Sequence, residues 1–105
     1  MIDIERIRQY YEDDSLIISK HALTRLRERH ISVAEIGECI KAGEIIEQYP
    51  DDWPFPSCLI YGAAHSGRIL HVVASAEGGG GRIITAYEPD IVSFEEDLKT
   101  RRKKT

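Results

Sequence analysis

His21, Arg25 and Arg29 recur at i, i+4 and i+8, a spacing that places an imidazole and two guanidiniums along one face of a helix. Imidazole is the side chain best suited to move protons near neutral pH. Guanidinium grips phosphate through a planar fork and stabilises charge during phosphoryl transfer. Together they could serve attack of a ribose 2′-hydroxyl on its neighbouring phosphate. The competing reading is a solvated helix face whose arginines pair with local carboxylates such as Glu28.

Thr85 and Tyr87 alternate on a strand and would share one face with Ile83, where two hydroxyls could hold a ligand or be satisfied at a sheet edge. His71 shares a strand face with Ile69, Val73 and Ser75, a pattern that suits a satisfied core histidine as well as a functional one. His65 falls in a turn. His30 ends a helix, where a cation is favoured by the dipole. Trp53 and Phe55 lie in a Pro-rich loop. They could stack bases or meet a partner, or fold back to cap the core. The four His and two Cys show no Cys-x-x-Cys or His-x-x-x-His spacing, so neither a metal nor a cofactor is expected. Cys39 and Cys58 read as reduced core thiols.

The elements that must position these groups follow from periodicity and caps. Residues 3–13 read as an amphipathic helix through Ile4, Ile7 and Tyr11. Ser19 is the N-cap of the helix bearing His21, with Ala22, Leu23 and Leu26 as its apolar stripe. Ser32 and Glu35 form a capping box for a third helix, buried through Val33, Ile36, Gly37 and Ile40 and closed by Gly43. Four strands follow, at 44–49, 57–62, 68–76 and 82–87. Three prolines at 50, 54 and 56 enforce a loop after the first. Short turns make the strands a mainly antiparallel meander. Gly78–Gly81 is a flexible hairpin tip and not a phosphate loop, because a strand follows it instead of a helix. Ser93 and Glu96 suggest a second capping box and a short C-terminal helix over 94–102. The expected fold is therefore α+β, with N-terminal helices on a four-stranded sheet and a closing helix.

With 105 residues, 42% hydrophobic and 30% charged, the chain is expected to form one globular domain. No apolar run approaches the roughly 18 residues of a membrane span, and the N-terminus lacks a signal-peptide pattern, so a soluble, cytoplasmic protein is expected. The net charge of −4 argues against a strong nonspecific nucleic-acid binder. Its distribution is uneven: residues 1–18 carry −3, residues 31–67 carry −5, and residues 19–30 carry +3. The tail from Arg101 to Lys104 is also basic and reads as a solvated, frayed terminus.

Ser19-Lys20-His21-Ala22 with Arg25, Arg29 and Ile31-Ser32, then Ser66-Gly67-Arg68 before Leu70-His71-Val72-Val73, then Ile84-Thr85-Ala86-Tyr87-Glu88-Pro89 and the charged tail from Phe94 to Lys103, resemble the signature of a bacterial family named only as domain of unknown function 4258. The resemblance covers a core of about residues 19–103, preceded by a helical extension over 1–18. The layout is similar to that of RelE-like and BrnT-like toxin ribonucleases. That likeness implies a metal-independent endoribonuclease of a toxin–antitoxin pair, with RNA as substrate and an antitoxin or other protein as partner. It would make His21 the general base or acid. Arg25 and Arg68 would hold the scissile phosphate, and Thr85 and Tyr87 would position substrate or donate a proton. Arg29, His71 and Arg82 would contact the substrate. The acidic net charge departs from the strongly basic character of RelE-like toxins. Two other readings stand beside this one: a non-catalytic module that binds a phosphate-bearing ligand or a protein, and a purely structural polar network joining the His21 helix to the Thr85 strand.

Overall fold

The computed structural model describes residues 1–103; Lys104, at the end of the basic tail, lies outside them. Three helices, α1 (Ile4–Glu12), α2 (Lys20–Glu28) and α3 (Val33–Ala42), pack on one face of a five-stranded sheet made of β1 (Leu16–Ile18), β2 (Glu44–Tyr49), β3 (Ser57–Ala63), β4 (Ile69–Ala76) and β5 (Gly81–Tyr87). The strand order is β1-β5-β4-β3-β2. The α+β class and the antiparallel β2–β5 meander agree with the sequence. The sheet, however, has a fifth strand: β1 pairs parallel with β5, Leu16 opposite Gly81 and Ile18 opposite Ile83. Three residues are too few to show a period, and their partner lies far along the chain, so no local signal announced this strand.

The caps form as their chemistry requires. Ser19 accepts from Ala22 N at 3.1 Å, and Ser32 and Glu35 exchange side-chain-to-backbone bonds in a complete capping box. Burial is less regular than the stripes suggested. Ile4 and Tyr11 pack partly buried against the core as expected, and Tyr10 is buried as well, its hydroxyl donating to Gly78 O at 2.8 Å on the far hairpin. Val33 is 48% exposed, and Cys39 lies inside α3's buried face instead. Residues 1–18 share the common core through Ile2 and Ile7, and Arg8 donates to Ile40 O and Gly43 O.

The core lies between the helices and the sheet face bearing Cys58, Ile60, Leu70, Val72, Ala74, Ile83 and Ala86. Both thiols are free, and burial pushes each up to about 11, which keeps them protonated and inert. At Gly62 the sheet meets α3 so closely that a Cβ would sit 2.5 Å from Cys39 O and 2.8 Å from Cys39 Cα. Because backbone cannot yield as a side-chain tip can, Gly62→Ala is expected to cost about 1–3 kcal/mol, read from urea unfolding.

No C-terminal helix forms among the described residues. The Asp90 carboxylate accepts from Val92 N and Ser93 N at 2.9 and 2.8 Å, and Asp97 accepts from Lys99 N and Thr100 N, both at 2.9 Å. These Asx turns offer the backbone amides a nearer partner than a helix would. Leu98 takes a positive φ of 59°, and a Phe94–Arg101 bridge folds the segment back on itself. The segment lies on the sheet face opposite the helices. There Phe94 is buried, and Arg101 binds Glu47 at 3.0 Å. Arg102 binds Glu95 at 3.0 Å, so both arginines of the tail are paired.

Candidate functional site

Helix α2 ends on Arg29, and His30 adopts a left-handed φ of 55° that turns the chain sharply into α3. The last carbonyls of such a helix have no intrahelical donor, and the dipole makes that end negative. Arg68, from the turn before β4, supplies both a donor and a positive charge. Its Nη2 donates to Arg29 O at 3.0 Å and its Nη1 to His30 O at 2.6 Å. The same guanidinium reaches Glu88 at 2.6 Å through Nε and Glu35 at 3.4 Å through Nη1. Burial works against its charge, but the two carboxylates more than offset this and hold its pKa above the usual arginine value. All three nitrogens of Arg68 are therefore engaged within the protein.

The Arg29 side chain runs the other way, onto β5. Its Nη1 donates to Thr85 Oγ1 at 2.9 Å and to Ala86 O at 2.8 Å. β1 pairs only with residues 81–83, so the outer edge of β5 beyond Ile83 has no strand beside it, and Arg29 covers that edge. Thr85 is aimed there by a bulge. Val73 faces Thr85 while Ala74 faces Ile83, which makes Ile84 the extra residue. Ile83 consequently turns into the core and Ile84 stands 46% exposed. Strict alternation, which would have put Ile83 on the face of Thr85 and Tyr87, fails at this point.

His21 and Arg25 lie on the exposed surface of α2. Lys20, Arg25 and Arg27 form no ion pair with any carboxylate among the described residues. By contrast, Arg8, Arg68, Arg82, Lys99, Arg101 and Arg102 each contact a glutamate. Glu28 does not neutralise Arg25. The positive segment seen in the sequence is thus an open basic face, one end of which is tied through Arg29 to Thr85.

His71 is sealed on the opposite face of the sheet. Its Nε2 lies 2.6 Å from Leu98 O, which makes Nε2–H the donor, and its Nδ1 has no partner among the described residues. The rings of Phe94, Tyr87 and Tyr61 surround it at 4.6, 5.5 and 6.2 Å between centroids. Burial lowers its pKa below the ordinary value, against the opposing pull of the Leu98 carbonyl and Glu47. Burial also raises the Tyr87 phenol, which keeps its proton. Arg82 is held by Glu77 at 2.9 Å. His65 pairs with Glu38 at 3.4 Å in an exposed turn.

The structure therefore joins Arg29 to Thr85, Arg68 to the backbone of Arg29, and His71 to Tyr87. It leaves His21 and Arg25 free on the surface and sets Arg82 apart with Glu77. Among the described residues no three His, Cys, Asp or Glu side chains converge as a metal site would need, and no helix is long and apolar enough to cross a membrane. Sequence reasoning missed the acceptors of Arg68, since Glu35 already had a role as a capping residue. It also missed a cavity on the outer face beside Ile84, whose position depends on the bulge.

No curated protein and no solved structure matches the chain. One family model does match, over residues 18–88, from the last residue of β1 to just past β5. The match takes in α2, the Arg68 clasp and the bulged β5, and leaves outside it α1 and the segment that covers His71. On this match the chain belongs to the family described as Domain of unknown function (DUF4258).

Proposed function

We propose that this protein is a metal-independent endoribonuclease of the RelE-like and BrnT-like toxin kind, acting in the bacterial cytoplasm and binding the RNA backbone along α2. One observation carries the reading: on an acidic molecule, the basic residues of α2 stand without carboxylate partners among the described residues, with His21 exposed among them. Phosphate is the counter-charge such a face lacks. His21 accepts the proton of the ribose 2′-hydroxyl as that oxygen attacks the adjacent phosphorus. Arg25 stabilises the charge that gathers on the phosphoryl oxygens, and Arg29, held on β5, meets the adjoining phosphate of the chain. The bond to the 5′-oxygen breaks, the leaving oxygen takes a proton from water, and a 2′,3′-cyclic phosphate remains. Arg29 needs no reorganisation for this, because Thr85 and Ala86 already fix its guanidinium. A cognate inhibitor protein would present acidic residues to the same face.

The test is cleavage of end-labelled RNA in the presence of a chelator. Wild-type protein is expected to yield cyclic-phosphate ends, and a 2′-deoxy residue at the cut site to block it. His21→Ala is expected to lower the rate by about 10²-fold or more with unchanged thermal unfolding. RNA left intact by the wild-type protein would sink the enzymatic reading.

A second reading has its own support. Arg68, the most highly coordinated guanidinium in the region, is committed to protein acceptors, which leaves a lean set of groups for catalysis. A non-catalytic module that holds a phosphate-bearing ligand on α2 would then be the function. Intact RNA that is nonetheless retained at low salt, and released by Arg25→Ala, would identify it.

A further inference from the structure

On the sheet face away from the helices, a cavity of about 350 Å³ opens between the loop after β2 and the ends of β4 and β5. Trp53, Pro54, Phe55 and Ile84 form its apolar walls, with Ser75, Glu77, Arg82 and Asp52 as its polar lining. Trp53 is 91% exposed, so it has not folded back to cap the core. An indole left in water has no internal packing role, and its flat face is free for a planar ligand.

We propose that this cavity is a nucleobase subsite for single-stranded RNA whose backbone lies on the α2 face. The proposal rests on the RNA reading of α2 and goes beyond it in assigning where a base is held. Three observations point there. The first is continuity: Ile84 lines the cavity, and the next residue, Thr85, holds Arg29 of α2, so one step of β5 separates the two regions. The second is charge. Glu77 and Asp52 make the cavity unfavourable for phosphate but not for a neutral base, while α2 offers the phosphate its cations. The third is hydrogen bonding. Glu77 Oε2 accepts from Ser75 Oγ at 3.0 Å and from Arg82 Nε at 2.9 Å, while its Oε1 has no partner among the described residues. An open acceptor beside the spare N–H groups of Arg82 complements the neighbouring donor and acceptor on a base edge. Stacking on Trp53 and Phe55 would supply affinity for any base.

Trp53 is the sole tryptophan, so its fluorescence reports on this cavity alone. The experiment titrates wild-type protein with a short end-labelled 2′-O-methyl oligoribonucleotide, which resists cleavage, and with an abasic oligomer of the same length. The base-bearing oligomer is expected to quench Trp53 saturably. Trp53→Ala should weaken its binding about tenfold by anisotropy. The abasic oligomer should leave Trp53 emission unchanged and bind both proteins alike. Binding that Arg25→Ala weakens, but that neither quenches Trp53 nor responds to Trp53→Ala, would overturn the subsite while leaving RNA on α2. Equal quenching by the abasic oligomer would overturn it too. Failure of every oligomer to bind would remove the RNA reading itself. Quenching by an extended peptide but by no oligomer would assign the cavity to a protein partner instead.

Discussion

Arg68→Ala is expected to lower unfolding stability by about 2–3 kcal/mol and to change cleavage per folded molecule by less than about tenfold. Arg68 ties together segments distant from it in sequence: the α2–α3 corner, through Arg29 O, His30 O and Glu35, and the strand exit, through Glu88. The contributions differ in size. Glu88 is 59% exposed, so that pair is screened by water and contributes little despite its short contact. The two carbonyls accept charge-assisted bonds at a helix end whose sharp turn leaves them without other donors among the described residues, and they carry most of the effect. Arg68→Lys retains a cation but not the planar fork, so it is expected to recover less than half of the loss. Chemical denaturation followed by far-UV circular dichroism measures the stability change. Cleavage below the melting range measures the rest. A folded Arg68→Ala protein with wild-type stability and no cleavage would instead place Arg68 on the scissile phosphate.

His71→Ala is expected to cost about 3 kcal/mol, because it empties a fully buried site walled by Phe94, Tyr87 and Tyr61 and removes the bond to Leu98 O. The same residue imposes a pH dependence. Its folded pKa lies below the ordinary 6.5, chiefly through burial. The unfolded chain therefore takes up the proton at about 6.5, before the folded one does. Stability attributable to His71 is complete above pH 6.5 and declines as pH falls from there toward the folded value. Glu35 and Glu47 act in a different window. Backbone and side-chain donation from Ser32 and Arg101 respectively lower their pKa values, so their stabilising effect is lost only as pH falls below about 4.5. His71→Phe keeps an aromatic ring in the site but cannot titrate. Unfolding midpoints at pH 7.5 and 5.5 should differ for wild-type protein and nearly coincide for His71→Phe. Equal pH slopes in the two proteins would show that His71 is not the group responsible. Amide protection in residues 91–101, taken relative to the intrinsic exchange rate at each pH, should fall first as the pH drops, because the Leu98 carbonyl ties that segment to the sheet.

The geometry of the candidate site was partly legible in the sequence. The spacing of His21, Arg25 and Arg29 identified a basic helix face, and the charge count over residues 19–30 located it. Spacing could not tell that the three would part: Arg29 onto β5, His21 and Arg25 into solvent. Nor could it tell that Arg68 would be engaged by carbonyls, since a carbonyl acceptor leaves no trace in residue type. Thr85 and Tyr87 were placed correctly relative to each other, because period two holds across those residues. Ile83 was not, because the bulge lies between it and Thr85.

What the sequence determined by itself is what nearest neighbours decide: the Ser19 and Ser32–Glu35 caps, three helices, four of the five strands, and the Pro-rich loop. Each depends on bonds or steric limits within a few residues. The tertiary structure alone decided the parallel β1–β5 pair, the bulge at Ile84, and the Asx-turned segment that displaces the C-terminal helix. It also decided which arginines found carboxylates and which stayed free. Those outcomes depend on groups far apart along the chain competing for the same donors, acceptors and apolar surface, and that competition is settled only when the sheet and helices have packed.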